Sequence, residues 1–253
     1  MRIKLTIEYD GLPFYGWQKQ NDFESVQETL EYAIKRVFEK SETIELYGAG
    51  RTDTGVHATG QVAHLEIFDN NLISKWQNNV PKLADAINFY LIDKSVVIIK
   101  SELVSDDFHA RFSAKMRHYK YLIYNRRSKS VIYEDRAWHV AKKLDENIMH
   151  EAAQHLVGTH NLNSFRSVHC NAKNPVRTIS SISVYRNNDF IIMEISAKSF
   201  LHNQVRIIMG TLKQIGEGKY PAAYIQEILQ KQDRTTAGVT APPYGLYLTG
   251  VDY

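Results

Sequence analysis

Strand-period and helix-period segments alternate along the whole chain and do so twice. A strand over residues 3–9 places Ile3, Leu5, Ile7 and Tyr9 on one side. Ser25 with Glu28 reads as a capping box, opening a helix with Val26, Leu30, Ile34, Val37 and Phe38 at helical spacing. Short strands are predicted at 43–47 and 61–68, helices near 72–79 and 82–91, and a strand at 95–104. The pattern then restarts. Met116–Asn125 alternates strongly, and a helix over about 145–157 turns Ile148, Ala152 and Leu156 inward. Strands at 178–186 and 189–198 meet at Asn187-Asn188, a pair suited to a hairpin turn. Helices follow at 203–216 and 222–231, and a strand at 245–251 ends the chain. Hairpins mixed with helices point to an α+β fold, not a doubly wound parallel sheet. The seam lies near 105–113, and no sequence repeat relates the halves.

The 253 residues fit one large domain or two small ones, and 43% hydrophobic content supplies ample core. No run of about 18 apolar residues suggests a membrane span. The N-terminal segment reads as a strand, not a signal peptide. A single cysteine, Cys170, excludes an internal disulfide and a multi-cysteine zinc site. Together these set the expectation of a cytoplasmic protein. The net charge of +3 permits a nucleic-acid partner without demanding one, and leaves room for a basic face on one side.

The most informative stretch is Gly48-Ala49-Gly50-Arg51-Thr52-Asp53-Thr54-Gly55-Val56-His57-Ala58, read as a loop from Gly48 to Gly60 between two strands. Its glycines let a ligand approach the backbone, and Arg51, Asp53 and His57 add a cation, a carboxylate and a titratable ring. Taken alone, Asp53 reads first as an Asx-turn residue that hydrogen-bonds its own backbone, and only second as a reactive carboxylate. The glycine spacing matches neither a dinucleotide fingerprint nor a P-loop. Basic and aromatic residues interleave in Asp107–Ser113 and in Arg117-His118-Tyr119-Lys120-Tyr121, as nucleic acid requires. A half-buried strand gives the second pattern without any ligand. Arg206 sits between Val205 and Ile207 on an apolar helix, so it either has a partner in the core or extends to the surface. The ten histidines show no metal-ligand spacing, and no metal site is expected.

These segments resemble the bacterial tRNA pseudouridine synthase A family. The resemblance rests on Tyr9-Asp10-Gly11 with Phe14-Tyr15-Gly16-Trp17-Gln18, on Gly50–Ala58 with Thr54 where alanine is usual, and on Phe108–Ala114. The Tyr119 strand, the Val205-Arg206 helix and Gly245-Leu246-Tyr247-Leu248 complete it, in order along nearly the whole chain. It implies two halves, each similar to an RNA-recognition motif or ferredoxin-like unit, with mixed, largely antiparallel sheets joined side by side around a cleft. Residues 1–105 would carry the catalytic Asp loop, and residues 106–253 would carry Tyr119 and Arg206. It also implies a homodimer that converts uridines 38, 39 and 40 of the tRNA anticodon stem-loop to pseudouridine, with no cofactor, metal or membrane.

By the same resemblance Asp53 is the nucleophile, Arg206 its ion-pair partner and Tyr119 a stacking platform. Leu248 would wall the base pocket, and Arg51 would fill the space left by a flipped base. The carboxylate could act at the ribose C1′, at the base C6 or through a glycal, and the residues do not choose. A non-catalytic RNA-binding module and a metal-dependent nuclease are the competing readings. The missing ligand spacing speaks against the nuclease.

Overall fold

The computed structural model describes residues 1–39 and 45–253. In chain order the elements are β1 (Arg2–Tyr9), α1 (Val26–Phe38), β2 (Leu46–Gly48), β3 (His57–Glu66), α2 (Asn70–Trp76), α3 (Val80–Phe89) and β4 (Val96–Val104). They continue with β5 (Met116–Tyr124), β6 (Trp138–His139), α4 (Glu146–Gln154), β7 (Gly158–Asn161), β8 (Val176–Asn187), β9 (Phe190–Ala197), α5 (Gln204–Gly216), α6 (Tyr224–Lys231) and β10 (Leu246–Asp252). Three 3-10 turns lie at 163–165, 234–236 and 243–245. The chain forms two compact units, Met1–Lys115 with Leu248–Tyr253, and Met116–Tyr247. The expectation of an α+β fold holds in each.

The first unit runs β1-α1-β2-β3-α2-α3-β4, a β-α-β-β-α-β succession with two helices before its last strand. Its strands lie in the order β4-β1-β3, with β2 and β10 also pairing β3. The pairs β1–β3, β1–β4 and β2–β3 are antiparallel. Ile3, Leu5, Ile7 and Tyr9 are buried, as their alternation requires, and so is the α1 stripe of Val26, Leu30, Ile34, Val37 and Phe38. Ser25 caps α1 by accepting from the Glu28 backbone N–H. On α3, Asn88 reads the edge strand. Its amide donates to Ile98 O and accepts from Ile98 N, both at 2.8 Å, beside a bulge between the Thr6 and Ile7 pairings.

The start of β3 differs from the sequence expectation. The strand begins at His57, so the glycine-rich loop is shorter than Gly48–Gly60. Gly60 lies inside the strand because a side chain there would collide with the carbonyl of Thr249 on β10. The strand expected at 43–47 lies partly outside the described residues; β2 occupies Leu46–Gly48.

The second unit repeats the first five steps of that succession with β5, α4, β8, β9 and α5. Its sheet runs β5-β9-β8-β7, all antiparallel, with β6 parallel to β5. The β8–β9 hairpin turns on Asn188-Asp189, one residue later than Asn187-Asn188, and Asn188 supplies the positive φ of 52°. Helix α4 buries Met149, Ala152 and Ala153, with Leu156 just beyond its end, while Ile148 is half-buried. Met149 takes the inward place, its thioether lying against Gly216 of α5, where an added Cβ would push the thioether aside. The short strands β6 and β7 have too few residues to show a period.

Candidate active site

The loop Ala49–Val56 is fixed from several directions, all within the first unit. Asp53-Thr54-Gly55-Val56 is a turn closed by Val56 N donating to Asp53 O at 3.1 Å, with Gly55 at φ 76° in its third position. Gln61, fully buried, donates to Gly50 O at 2.9 Å, and Ala49 N donates to Val62 O at 2.7 Å. Thr52 is held twice. Its hydroxyl meets the Tyr9 phenol at 2.7 Å in the interior, and its carbonyl accepts from Trp17 N at 3.1 Å.

The turn Asp10–Gln18 presses on this loop from behind. At Gly16, with φ 87°, a Cβ would lie 2.7 Å from Thr52 O and 3.3 Å from the Asp53 carbonyl carbon. Gly11 approaches the Val56 backbone more closely still, so that an added Cβ would run into Val56 O. Only glycine permits both contacts. Asp53 itself is half-buried and Arg51 is exposed. A turn therefore exists here, closed by backbone groups, and tertiary contacts around it hold its backbone in place.

Two histidines of β3 act as anchors. His57 and His64 are both buried, and each presents Nδ1 to a distant backbone N–H: Gly11 N at 3.0 Å and Ala110 N at 3.2 Å. Asp10 Oδ1 is also 3.0 Å from His57 Nδ1. One nitrogen cannot accept from Gly11 and donate to Asp10 together, but either bond ties the ring to that turn. His57 is thus part of the loop's support. His64 stacks on Tyr47 and meets His109 edge-on at 4.7 Å. Burial first, then His109 and Arg2, push its pKa down to about 4. Among the described residues, no group of three or more His, Cys, Asp or Glu is placed to hold a metal.

Leu248, on β10 in the first unit, is buried. In the second unit Tyr119 is half-buried on β5, its ring edge-on to Phe200 at 5.2 Å and 87°. Arg206 occupies the first turn of α5. Its Nε donates to Ala241 O at 2.7 Å, its Nη1 donates to Asn203 Oδ1 at 2.8 Å, and Ala241 N donates back to Arg206 O. The guanidinium is half-buried and aimed by two acceptors, which the sequence left open. Nearby Tyr121 is fully buried and donates to Pro242 O at 2.7 Å. Burial raises its phenol well above the usual range, and Arg206 opposes that shift.

Sequence reasoning missed Tyr9, Thr52, Gly16, Gln61, Asn203 and Ala241 as supports. Tyr9 and Gly16 stood inside a quoted motif, but nothing local says that this motif backs the Asp53 loop.

The model of the tRNA pseudouridine synthase family matches residues 5–113 and 152–253. The chain belongs to the tRNA pseudouridine synthase family. The tRNA pseudouridine synthase A of Brucella ovis is 47% identical over 254 residues, covering 100% of this chain and 98% of its own. That of Brucella melitensis biotype 1 gives the same values. A crystal structure of a Cbf5-Nop10-Gar1 complex aligns with 97% of this chain and 48% of its own at 10% identity, with a TM-score of 0.39. In this synthase both turns of the first unit, Asp10–Gln18 and Ala49–Val56, fall inside the family match.

Proposed function

We propose that this synthase isomerises uridine to pseudouridine at positions 38, 39 and 40 of the tRNA anticodon stem-loop, with Asp53 as the nucleophile. The family match across both halves of the chain carries the reading. The reaction breaks the N1–C1′ bond, turns the base, forms C5–C1′ and releases the C5 proton. It needs one carboxylate held still beside a flipped base, and the doubly held Thr52 and the closed turn at Asp53 suit that need. Flipping a stem base costs about a few kcal/mol. In this reading Arg51 fills the vacated space, Tyr119 stacks on the uracil, Leu248 walls the pocket and Arg206 pairs with Asp53. A homodimer bound to one tRNA, and a cytoplasmic location, belong to the same reading.

The test is tritium release from tRNA labelled at uridine C5. Wild-type protein releases tritium. Asp53→Ala releases none yet still binds tRNA. Normal release by Asp53→Ala would exclude Asp53 as nucleophile, and binding without release by the wild type would leave only an RNA-binding module.

A further inference from the structure

The overall charge of +3 conceals a strong asymmetry. Residues 116–247 hold 18 Lys and Arg against 10 Asp and Glu, a net of +8, whereas the rest of the chain holds 13 against 18, a net of −5. Within the second unit, 152–188 contains no carboxylate, and neither does 195–216.

The fold brings these two stretches to one end of the second unit's sheet. A single row of paired residues crosses four strands there: Gly158 on β7, Ile179 on β8, Ala197 on β9 and Arg117 on β5. The loop 166–175 and the segment 198–203 both leave from that end. They are stitched together by Ser167 N donating to His202 O at 3.0 Å. Arginines hold the backbone in place. Arg166 Nη1 donates to Ala172 O, Arg177 Nη1 donates to Asn174 O and Val176 O, and Arg117 Nη1 donates to Lys198 O.

Lys173, Lys198, His169 and His202 remain exposed on this frame. Elsewhere Lys4, Lys94, Lys120 and Lys213 each lie within 3.3 Å of a glutamate. Among the described residues neither Lys173 nor Lys198 has such a partner. Glu194, the carboxylate on β9, is already engaged by Lys120.

Asp233, next to Gln232 at the β7 margin of this end, is held as the cap of the 234–236 turn. Cations gathered on two stretches with no carboxylate of their own repel one another and are relieved by a bound polyanion. The row of four strands spans roughly 14 Å. That length spans several phosphates of a nucleic-acid backbone, not a single small anion. Tyr119 and Phe200 border the patch, setting aromatic faces beside the cations. We propose that this end of the second unit's sheet binds the tRNA phosphate backbone outside the target nucleotide, with Lys173 and Lys198 as its principal cations. This rests on the tRNA reading above.

The experiment is a salt titration of tRNA binding by the full chain, comparing wild type, Lys173→Ala/Lys198→Ala and Lys173→Arg/Lys198→Arg. The alanine pair should weaken binding roughly tenfold near 0.1 M salt and flatten the slope of log K against log[salt] by about 1.4–1.8, while the arginine pair retains both. Unchanged affinity and slope in the alanine pair, beside a wild type that binds tRNA and releases tritium, would overturn the surface alone. A wild type that neither binds tRNA nor releases tritium would overturn both proposals. Displacement of tRNA by polyglutamate as readily as by duplex RNA would overturn the assignment to RNA.

Discussion

Tyr9 and Thr52 join their hydroxyls at 2.7 Å in the interior of the first unit, one residue before Asp53. The bond links the end of the first strand to the middle of the Asp53 loop. Tyr9→Phe keeps the ring but leaves the Thr52 hydroxyl buried without its partner, at a cost of about 1–2 kcal/mol. With Asp53 as nucleophile, a misplaced loop should also slow single-turnover tritium release by roughly tenfold or more. Thr52→Val removes the other half. In a double-mutant cycle the two changes should be clearly less than additive, and strict additivity would show that the bond does not couple the two residues.

Gly16→Ala should be severe. The new Cβ would sit 2.7 Å from Thr52 O, and φ 87° is strained for alanine. We expect a loss of about 2–3 kcal/mol in urea unfolding together with a fall in kcat. Gly218→Ala is the control. Its φ of 76° carries the same backbone strain, but nothing lies within 4 Å, so about 1 kcal/mol should be lost with no effect on kcat. Equal effects at the two sites would show that contact with the loop does not matter.

Arg206→Lys should not rescue function. A lysine ammonium cannot reproduce the paired Nε–Ala241 and Nη1–Asn203 bonds that aim the guanidinium. Activity should drop by at least an order of magnitude while the melting temperature moves by only a few degrees. Full activity in the lysine variant would reduce Arg206 to a replaceable charge.

Stability should fall in mild acid through His64. Its ordinary pKa of 6.5 is lowered to about 4 in the folded chain. Above pH 6.5 both folded and unfolded chains leave it neutral, and its stabilising effect is complete. Between 6.5 and 4 the unfolded chain takes up a proton that the folded chain refuses, so stability is lost at up to about 1.4 kcal/mol per pH unit. Below 4 both are protonated and the loss stops growing. His109, lowered in the same direction chiefly by burial, adds to the trend. Urea midpoints at pH 7, 6 and 5 should therefore decline, and less steeply in His64→Asn, which keeps an acceptor for Ala110 N–H. Parallel declines would remove His64 as the cause.

Local signals carried much of the fold. The alternation of Ile3 to Tyr9 and the spacing of Val26 to Phe38 depend on neighbours along the chain, and both were legible. Gly60 was not, because its reason is a carbonyl on β10, nearly 190 positions away. The hairpin register slipped by one because Asn187, Asn188 and Asp189 all suit a turn, and only strand pairing decides among them. At the candidate site the reactive types, Asp53, Arg51, Tyr119 and Arg206, stood out by chemistry and resemblance. Their supports did not, since a tyrosine ending a strand or a glycine in a turn looks ordinary until its distant partner is known.

The close packing of Gly11 and Gly16 on the Asp53 loop has a consequence for engineering. The loop's shape is imposed by a turn some forty positions upstream, through contacts that no side chain can replace. A synthetic peptide spanning 48–60 should keep only the small turn at its centre and wander elsewhere. Anyone grafting this carboxylate onto a new scaffold must transplant two turns as one block, with the strand pairing that holds them back to back.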